Sequence, residues 1–325
     1  RFSDMTLSAD DIKAILQNGT AGDDRLYAKP EGSVLYAGAG NDTIIGNIGN
    51  DNLFGEEGND TLIGNAGDDY LHGEDSDDKL YGDAGKDFLD GGNGNDQLYG
   101  GADDDRLFGD RGNDALFGGD GDDELDGSLG DDQLYGEAGN DKLFGSIGND
   151  TLNGGAGNDR LSGYEGNDIY QFNGDFGQDI IQNKNNQNML FGSQYDRIDF
   201  IDLQQKDLIF RRVGDDLLLV SKKRANNQVT VLDHFRDNGK TAARIDEIRF
   251  ADGSTLDYDA INRLVQSNNN PPRANLAQDR YAAEAARQAQ VMMQAMAASG
   301  AQPLDKLMTP DNPPLVPPLL PNLKP

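Results

Sequence analysis

Aspartate recurs at every ninth residue over much of this chain, and carboxylates at so regular a spacing favour the binding of divalent cations. The series comprises Asp42, Asp51, Asp60, Asp69, Asp78, Asp87, Asp96, Asp105, Asp114, Asp123, Asp132, Asp141, Asp150, Asp159 and Asp168. A fixed period of this length predicts a repeat architecture rather than a set of isolated loops.

The charge of the whole chain favours the same chemistry. Its 325 residues include 58 acidic and 28 basic ones, which gives a formal net charge of -30. Nucleic acid is not expected as a partner, because phosphate binding needs lysine and arginine concentrated on one face. The absence of cysteine excludes disulfides and zinc thiolate sites. The sequence shows neither an ordinary signal peptide at its start nor an apolar stretch long enough to span a bilayer.

The aspartates occupy position six of a nine-residue unit. Counted from Ala37, fifteen units run to Gln171 without insertion or deletion. Position one is glycine in all but the first unit, and position eight is leucine or isoleucine in all but the last, which has Tyr170. Two more units precede them, 19–27 and 28–36, so seventeen units span residues 19–171.

The unit predicts a turn followed by a short strand. Its glycine-rich first half can adopt positive φ, and its last three residues alternate as in a strand with one buried side chain. Two units make one turn of a flattened right-handed coil, so seventeen units give roughly eight turns of stacked parallel strands. Each strand buries about one leucine, which is too little to offset the lost conformational entropy. A further interaction must therefore stabilise the coil.

The units resemble the nonapeptide repeats of the RTX family, the haemolysin-type calcium-binding proteins with the motif G-G-x-G-x-D-x-U-x. The resemblance implies an all-β fold, a parallel β-roll with Ca²⁺ between loops on the same edge. Position-six carboxylates and carbonyls of the glycine-rich turns would be the ligands. The implied metal-binding residues are Asp24, the fifteen aspartates above, Gly40, Gly49, Gly58, Gly67, Gly85, Gly94, Gly112, Gly121, Gly130, Gly139, Gly148 and Gly157.

Loops on the same edge are two units apart, which pairs Asp42 with Asp60 and so on to Asp150 with Asp168. The fifteen units provide thirteen such pairs. They carry 27 aspartates and six glutamates against six basic residues, a net charge of -27 that thirteen Ca²⁺ ions would nearly cancel. Calcium suits irregular oxygen ligands better than Mg²⁺ does.

Four units depart from the motif, and we expect weaker sites there. Ser76 and Asp103 replace the position-four glycine, Ser33 replaces the aspartate, and Lys86 places a positive charge directly before Asp87.

The flanks complete a four-part organisation. Residues 1–18 match the end of 172–270, since RFSDMTLSADDI resembles RFADGSTLDYDAI, and are expected to be the remnant of a preceding copy of that domain. Residues 172–270 predict a small β-rich domain ending in a short helix. By resemblance this domain caps the roll and nucleates its folding, with Asp179 as a candidate last carboxylate. Residues 271–325 predict a helix and a proline-rich tail that resemble a type I secretion signal.

These features predict a calcium-binding module that folds outside the cell, at the end of a larger secreted toxin or adhesin exported by a type I ABC machinery. The alternative is a binding module whose roll displays a glycan, cell or partner surface. An outward aromatic ladder, Tyr81, Tyr99, Phe117 and Tyr135, could form that surface, but stacking between strands is favoured. His72 and His234 are expected to be structural. The sequence has no catalytic motif, so the chain is not expected to be an enzyme.

Overall fold

The computed structural model describes residues 18–183, 195–236 and 243–268, all within one compact unit, Arg1–Asn269. The expectations for residues 1–17 and 271–325 lie outside these ranges. The described residues form two twelve-stranded sheets and one α-helix. None of their helices is long and apolar enough to cross a membrane.

The odd-numbered strands other than β21 build one sheet, together with the last strand of the described chain. In spatial order it contains β1 (Arg25–Tyr27), β3 (Thr43–Ile45), β5 (Thr61–Ala66), β7 (Lys79–Ala84), β9 (Gln97–Ala102), β11 (Ala115–Asp120), β13 (Gln133–Ala138), β15 (Thr151–Asn153), β17 (Ile169–Phe172), β19 (Arg197–Phe200), β23 (Glu247–Arg249) and β24 (Thr255–Asp257).

The second sheet begins with the even-numbered strands. It contains β2 (Val34–Ala39), β4 (Asn52–Glu57), β6 (Tyr70–Asp75), β8 (Phe88–Asn93), β10 (Arg106–Arg111), β12 (Glu124–Leu129), β14 (Lys142–Ile147), β16 (Arg160–Glu165), β18 (Gln178–Ile181), β22 (Gln228–Val231), β21 (Asp216–Ser221) and β20 (Leu208–Val213). A 3₁₀ turn, Gln205–Asp207, precedes β20, and helix α1 spans Tyr258–Asn268.

The predicted all-β parallel roll is confirmed. Strands two units apart pair in parallel, as in Leu53 with Leu71, so every second unit returns to the same sheet. The position-eight side chains of both sheets point inward and are buried, from Leu35 to Tyr170. With the strands that follow the repeats, the solenoid has about nine turns.

Most strands are longer than the three residues predicted from the repeat. Strand β4 contains the last three residues of one unit and the first three of the next. Its ladder skips Gly55 and resumes at Glu56, which pairs with Glu74. The backbone kinks at position two, where Glu56 has a φ of 76°, and pairing continues through the kink.

The strands after the repeats extend the same two sheets. β19 pairs in parallel with β17, and β22 pairs in parallel with β18, after which β21, β20 and β24 add antiparallel pairs. The stretch ARIDEIRFADGSTLDY contains the hairpin β23–β24, because Gly253 adopts a φ of 80° in its turn. In the stretch QVTVLDHF, strand β22 ends at Val231, before His234.

Candidate metal centre

The position-six aspartates form two columns, one along each edge of the solenoid. In each column a backbone N–H donates to the Oδ1 atom of the aspartate one coil turn later, at 2.6–3.1 Å. The first column contains Asp24, Asp42, Asp60, Asp78, Asp96, Asp114, Asp132, Asp150, Asp168 and Asp196. The second contains Asp51, Asp69, Asp87, Asp105, Asp123, Asp141, Asp159 and Asp179. The structure thus brings together the predicted same-edge pairs.

The second oxygen of nearly every column carboxylate is buried without a hydrogen-bond partner in the described part of the chain. This holds for Oδ2 of fourteen of the fifteen repeat aspartates from Asp42 to Asp168, and these side chains are at most 3% exposed. Buried carboxylate oxygens without partners carry a large desolvation cost. Such an oxygen is a suitable ligand for a cation, so the residues present fit the calcium that the motif implies.

Asp51 and Asp24 are the exceptions among the repeat aspartates. The Oδ2 atom of Asp51 accepts the backbone N–H of Asn47 at 3.1 Å, and that of Asp24 accepts both the N–H and the hydroxyl of Thr20. Asp24 is also only half-buried, unlike the others. These two carboxylates are closed, in the sense that a hydrogen-bond donor of the same unit occupies Oδ2, and both lie in the N-terminal part of the roll.

Within the repeat units, the backbone conformation at position two correlates with whether the Oδ2 atom of the aspartate has a hydrogen-bond partner. Position two has a positive φ in every unit whose aspartate has an unpartnered Oδ2, as at Gly38 with 103° and Tyr164 with 69°. Thr20 and Asn47, which close their carboxylates, are absent from that left-handed set. Nine position-two residues adopt this conformation without being glycine, at about 1–2 kcal/mol each.

Position-one glycines lie directly against the unpartnered oxygens. A Cβ on Gly55 would meet Asp60 Oδ2 at 2.4 Å and the carbonyl oxygen of Gly73 at 2.8 Å. The equivalent carboxylate distance is 2.0–2.5 Å from Gly55 to Gly163. Only glycine leaves room here for carboxylate and carbonyl oxygens to converge. The ligand set predicted from the sequence contained the position-four glycines but not these position-one glycines.

The predicted position-four glycines make the turn itself. Gly58 has a φ of 125°, and its Cα faces the carbonyl oxygen of Gly40 one coil turn earlier. Ser76 and Asp103 adopt the same left-handed region, with φ of 88° and 79°. The two substitutions therefore preserve the turn at the cost of backbone strain.

Burial raises the pKa of the column carboxyls. The N–H donor of the preceding turn lowers it in part, and neighbouring carboxylates raise it further. The pKa reaches about 6 at Asp96 and about 8 at Asp78 and Asp114. By contrast, the hydrogen bond from the Thr20 side chain lowers the pKa of Asp24. Burial therefore disfavours the ionised columns, and a bound cation would offset that cost by neutralising them.

The described residues contain no cluster of three or more histidine, cysteine, aspartate or glutamate side chains arranged to hold a metal. Each column offers carboxylates in pairs, and further ligands must come from backbone carbonyls. Oxygen ligands from carboxylates and carbonyls suit a hard cation such as Ca²⁺.

A second set of columns lies outside the carboxylates and was missed from the sequence. Position five is asparagine or aspartate in every unit from Ala37 to Gln171 except at Lys86. Its side-chain oxygen accepts the N–H of the position-five residue one turn later, at 2.7–3.2 Å, as from Asn59 to Asn41. These outer columns give each edge hydrogen bonds that need no metal. The asparagine or aspartate that recurs directly before each position-six aspartate is the sequence signal that could have predicted these outer columns.

Lys86 interrupts one outer column. It has no side-chain oxygen for the N–H of Asp104, and its Nζ instead donates to the Asp104 carboxylate. The expected weakening of neighbouring sites by Lys86 stays a prediction.

The aromatic ladder stacks as predicted. Tyr81, Tyr99, Phe117 and Tyr135 follow one another with ring centroids 4.9–5.0 Å apart and planes within 6° of parallel. This geometry supports cross-strand stabilisation of the sheet.

The two histidines differ in surroundings. His72 lies on the outer face with Nδ1 3.0 Å from Asp90 Oδ2, and that carboxylate raises the pKa of His72. His234 is fully buried, and its Nδ1 accepts the N–H of Ile245 at 3.2 Å. Burial lowers the pKa of His234 to about 3, so it is neutral at physiological pH.

A parallel β-solenoid lined on both edges by buried carboxylate pairs defines a metal-binding repeat protein. Comparison with known families identifies which one. The sequence model of the RTX calcium-binding nonapeptide repeat matches residues 18–53, 31–62, 54–89, 81–116, 109–143, 117–152, 135–170 and 144–181. The chain therefore belongs to this family, whose repeats bind calcium, and it has a calcium-binding role as part of an RTX protein.

Two further comparisons cover smaller regions. Residues 218–260 match the haemolysin-type calcium binding protein related domain. The chain is 38% identical over 98 residues to the iron-regulated protein FrpA of Neisseria meningitidis serogroup C. That alignment covers 30% of this chain and 8% of FrpA.

Proposed function

We propose that residues 19–171 are a module whose folding is driven by Ca²⁺ bound between successive turns, with about thirteen ions in the two columns. The observation that carries the proposal is the row of unpartnered, buried Oδ2 atoms. Without cations these oxygens oppose folding, and bound calcium would convert them into the main stabilising interaction.

The free energy of calcium binding is large enough to determine whether the repeats fold. An ion present at about ten times its dissociation constant contributes roughly 1.4 kcal/mol to the folded state. Over thirteen sites this amounts to about 18 kcal/mol, more than the whole stability of a typical domain. Weak sites of the extracellular kind would remain empty in the cytosol and fill outside the cell.

Circular dichroism of the full chain tests the proposal. In chelator the repeats should be mostly coil, and millimolar Ca²⁺ should produce the β signal. Millimolar Mg²⁺ should not replace it, because Mg²⁺ demands stricter octahedral geometry and keeps its water. A β signal that persists in chelator, or one that Mg²⁺ restores equally, would contradict calcium-driven folding.

We also propose that residues 172–270 cap the roll. The antiparallel strands β20, β21 and β24 end the two parallel sheets, and α1 contacts both β20 and β24. The short length of edge strand β24 and the exposed arginines of the other edge strand, such as Arg211 in β20, discourage pairing with other chains. Removing residues 172–270 should raise the calcium concentration needed for folding, and an unchanged midpoint would assign this region another role.

We further propose that the module belongs to a larger protein secreted by a type I system, a toxin or an adhesin, and that residues 271–325 carry the export signal. RTX repeat proteins are typically secreted in this way. A cell expressing a type I exporter should release the full chain and retain a variant without 271–325. Release of both forms would place the signal elsewhere.

A further inference from the structure

The second carboxylate column continues beyond the nonapeptides. Asp179 follows Asp159 after twenty residues instead of eighteen, yet the Asp159 N–H donates to Asp179 Oδ1 at 2.9 Å as in every earlier turn. The side chain of Asp179 is 1% exposed, and its Oδ2 has no hydrogen-bond partner in the described residues. Burial, together with the neighbouring Asp159 carboxylate, raises the pKa of Asp179.

The turn around Asp179 keeps part of the loop geometry of a repeat, although Asp175 at its position two is not left-handed and nothing lies within 4 Å of a Cβ built on Gly174 at its position one. Gly177 takes the place of a position-four glycine, with a φ of 68° and its Cα against the carbonyl oxygen of Gly157. The N–H of Gln178 donates to Asn158 Oδ1, so the outer column also continues. Beyond Asp179 the strand partner is Val229, and the carboxylate column ends there.

The first column differs: it runs through Asp196 to Asp246, whose Oδ2 accepts the Asp196 N–H at 3.2 Å. The Asp168 N–H donates to Asp196 Oδ1 at 3.0 Å, but the Oδ2 atom of Asp196 accepts the amide Nδ2 of Asn183. The Asn183 Oδ1 atom accepts the hydroxyl of Tyr170, the residue that replaces leucine at position eight of the last unit. Asn183 is 5% exposed, so this network is buried. An amide donor thus occupies the oxygen that stays open at Asp179.

We propose that the Asp159–Asp179 pair binds a Ca²⁺ ion outside the repeats, and that the Asp168–Asp196 pair is closed by Asn183 and binds none. A cation and an N–H donor compete for the same lone pairs of Asp196, and Asn183 is held in place by Tyr170 and by the N–H of Gly163. This inference rests on the proposed calcium-driven folding. It adds the statement that the two edges end in chemically different ways.

A crystal structure of the full chain grown in Ca²⁺, with anomalous difference maps, tests the assignment. An ion should lie between Asp159 and Asp179, and none between Asp168 and Asp196. Asn183→Asp replaces the donor by a carboxylate and should create an ion at the second position. An ion in the unaltered Asp168–Asp196 pair, or none at Asp159–Asp179 while other pairs are filled, would overturn the inference. Columns empty throughout would instead overturn the proposed function.

Hydrogen exchange in solution provides a second measurement. Asp179→Asn keeps the shape and the Oδ1 acceptor, and should raise the calcium midpoint for protection of residues 172–183 by about tenfold or more. Asp196→Asn, the matched variant in the other column, should change that midpoint less than Asp179→Asn does. Equal shifts for both variants would show that neither carboxylate is distinguished as a ligand.

Discussion

Replacement of Asp96 by asparagine should change stability in opposite directions with and without calcium. Asp96 lies mid-column and is 1% exposed; its Oδ1 accepts the Asp78 N–H at 2.8 Å, and its Oδ2 has no partner in the described residues. Asparagine keeps the size of the side chain and the Oδ1 acceptor. It removes only the charge and one acceptor oxygen.

The magnitude without calcium follows from burial. A pKa raised from 3.8 to about 6 means that ionised Asp96 costs the folded chain roughly 3 kcal/mol at pH 7. Asp96→Asn removes this cost and adds a buried amide donor that needs an acceptor, at about 1–3 kcal/mol if unsatisfied. The neighbouring carboxylates of the column offer such acceptors, as Asp196 does for Asn183. The net effect in chelator is therefore a gain of up to about 3 kcal/mol.

With calcium the sign reverses. Asp96 contributes to the pair before it and the pair after it, so the variant weakens two sites. At tenfold over the dissociation constant their loss removes about 3 kcal/mol from the free energy of unfolding.

Folding titrations in the two media measure both effects. In chelator, the osmolyte trimethylamine N-oxide induces folding, and Asp96→Asn should need less of it than the unaltered chain. In Ca²⁺, urea should unfold the variant at a lower concentration. Asp24→Asn is the matched control, since Asp24 is half-buried and hydrogen-bonded to Thr20, and should change little in either medium. Equal destabilisation by Asp96→Asn in both media would refute the reasoning, because the carboxylate would then act only as a hydrogen-bond acceptor.

Three further predictions concern pH, backbone strain and the outer columns. Burial raises the folded-state pKa values of the column aspartates, so their contribution to the stability of the metal-free fold is fully present below about pH 4 and is lost as pH rises through about 6–8. Circular dichroism in chelator should therefore show more β structure at pH 5 than at pH 8. The reverse order would contradict the burial argument. Ser76→Gly should raise stability in Ca²⁺ by about 1 kcal/mol, because it relieves a φ of 88°, while Ser162→Gly in an ordinary strand should lower it. Lys86→Asn restores an acceptor for the Asp104 N–H and should stabilise the roll by roughly 0.5–1.5 kcal/mol in urea titrations. Asn113→Lys removes such an acceptor and should destabilise the roll by a similar amount. Equal stability of these two variants would show that the outer columns do not contribute to the stability of the roll.

The sequence predicts the solenoid and its carboxylate pairs because both depend on period alone. A nine-residue spacing with one buried leucine places Asp60 above Asp42 in any two-unit coil. The longer strands could not be predicted, since pairing beyond position nine runs through left-handed residues such as Glu56, a conformation that non-glycine residues disfavour. The close approach of position-one glycines to the carboxylates likewise depends on three-dimensional packing.

The continuation of the columns was only partly visible. Asp179 was a candidate, but Asp196 lies 28 residues after Asp168 and the spacing no longer identifies it. The pattern Asp-x-Ile-x-Phe around Asp196 and Asp246 matches DIYQF at Asp168 apart from the tyrosine. The partnership of Asn183 with Tyr170 has no sequence signal, because it depends on two chain segments meeting inside the solenoid.

Successive units alternate between the two sheets, so the position of each strand depends on whether an even or an odd number of units follows it. Strand β17 continues into β19 on one sheet, and β18 into β22 on the other. Loss of residues 100–108, a single unit, would shift every preceding strand to the opposite sheet and place Tyr99 beside Asp126. Loss of residues 100–117 would instead stack Tyr99 on Tyr135 and keep both sheets in order. Recombination among the repeats should therefore be tolerated in whole coil turns of eighteen residues, so that the array lengthens or shortens through evolution by two units and two metal sites at a time.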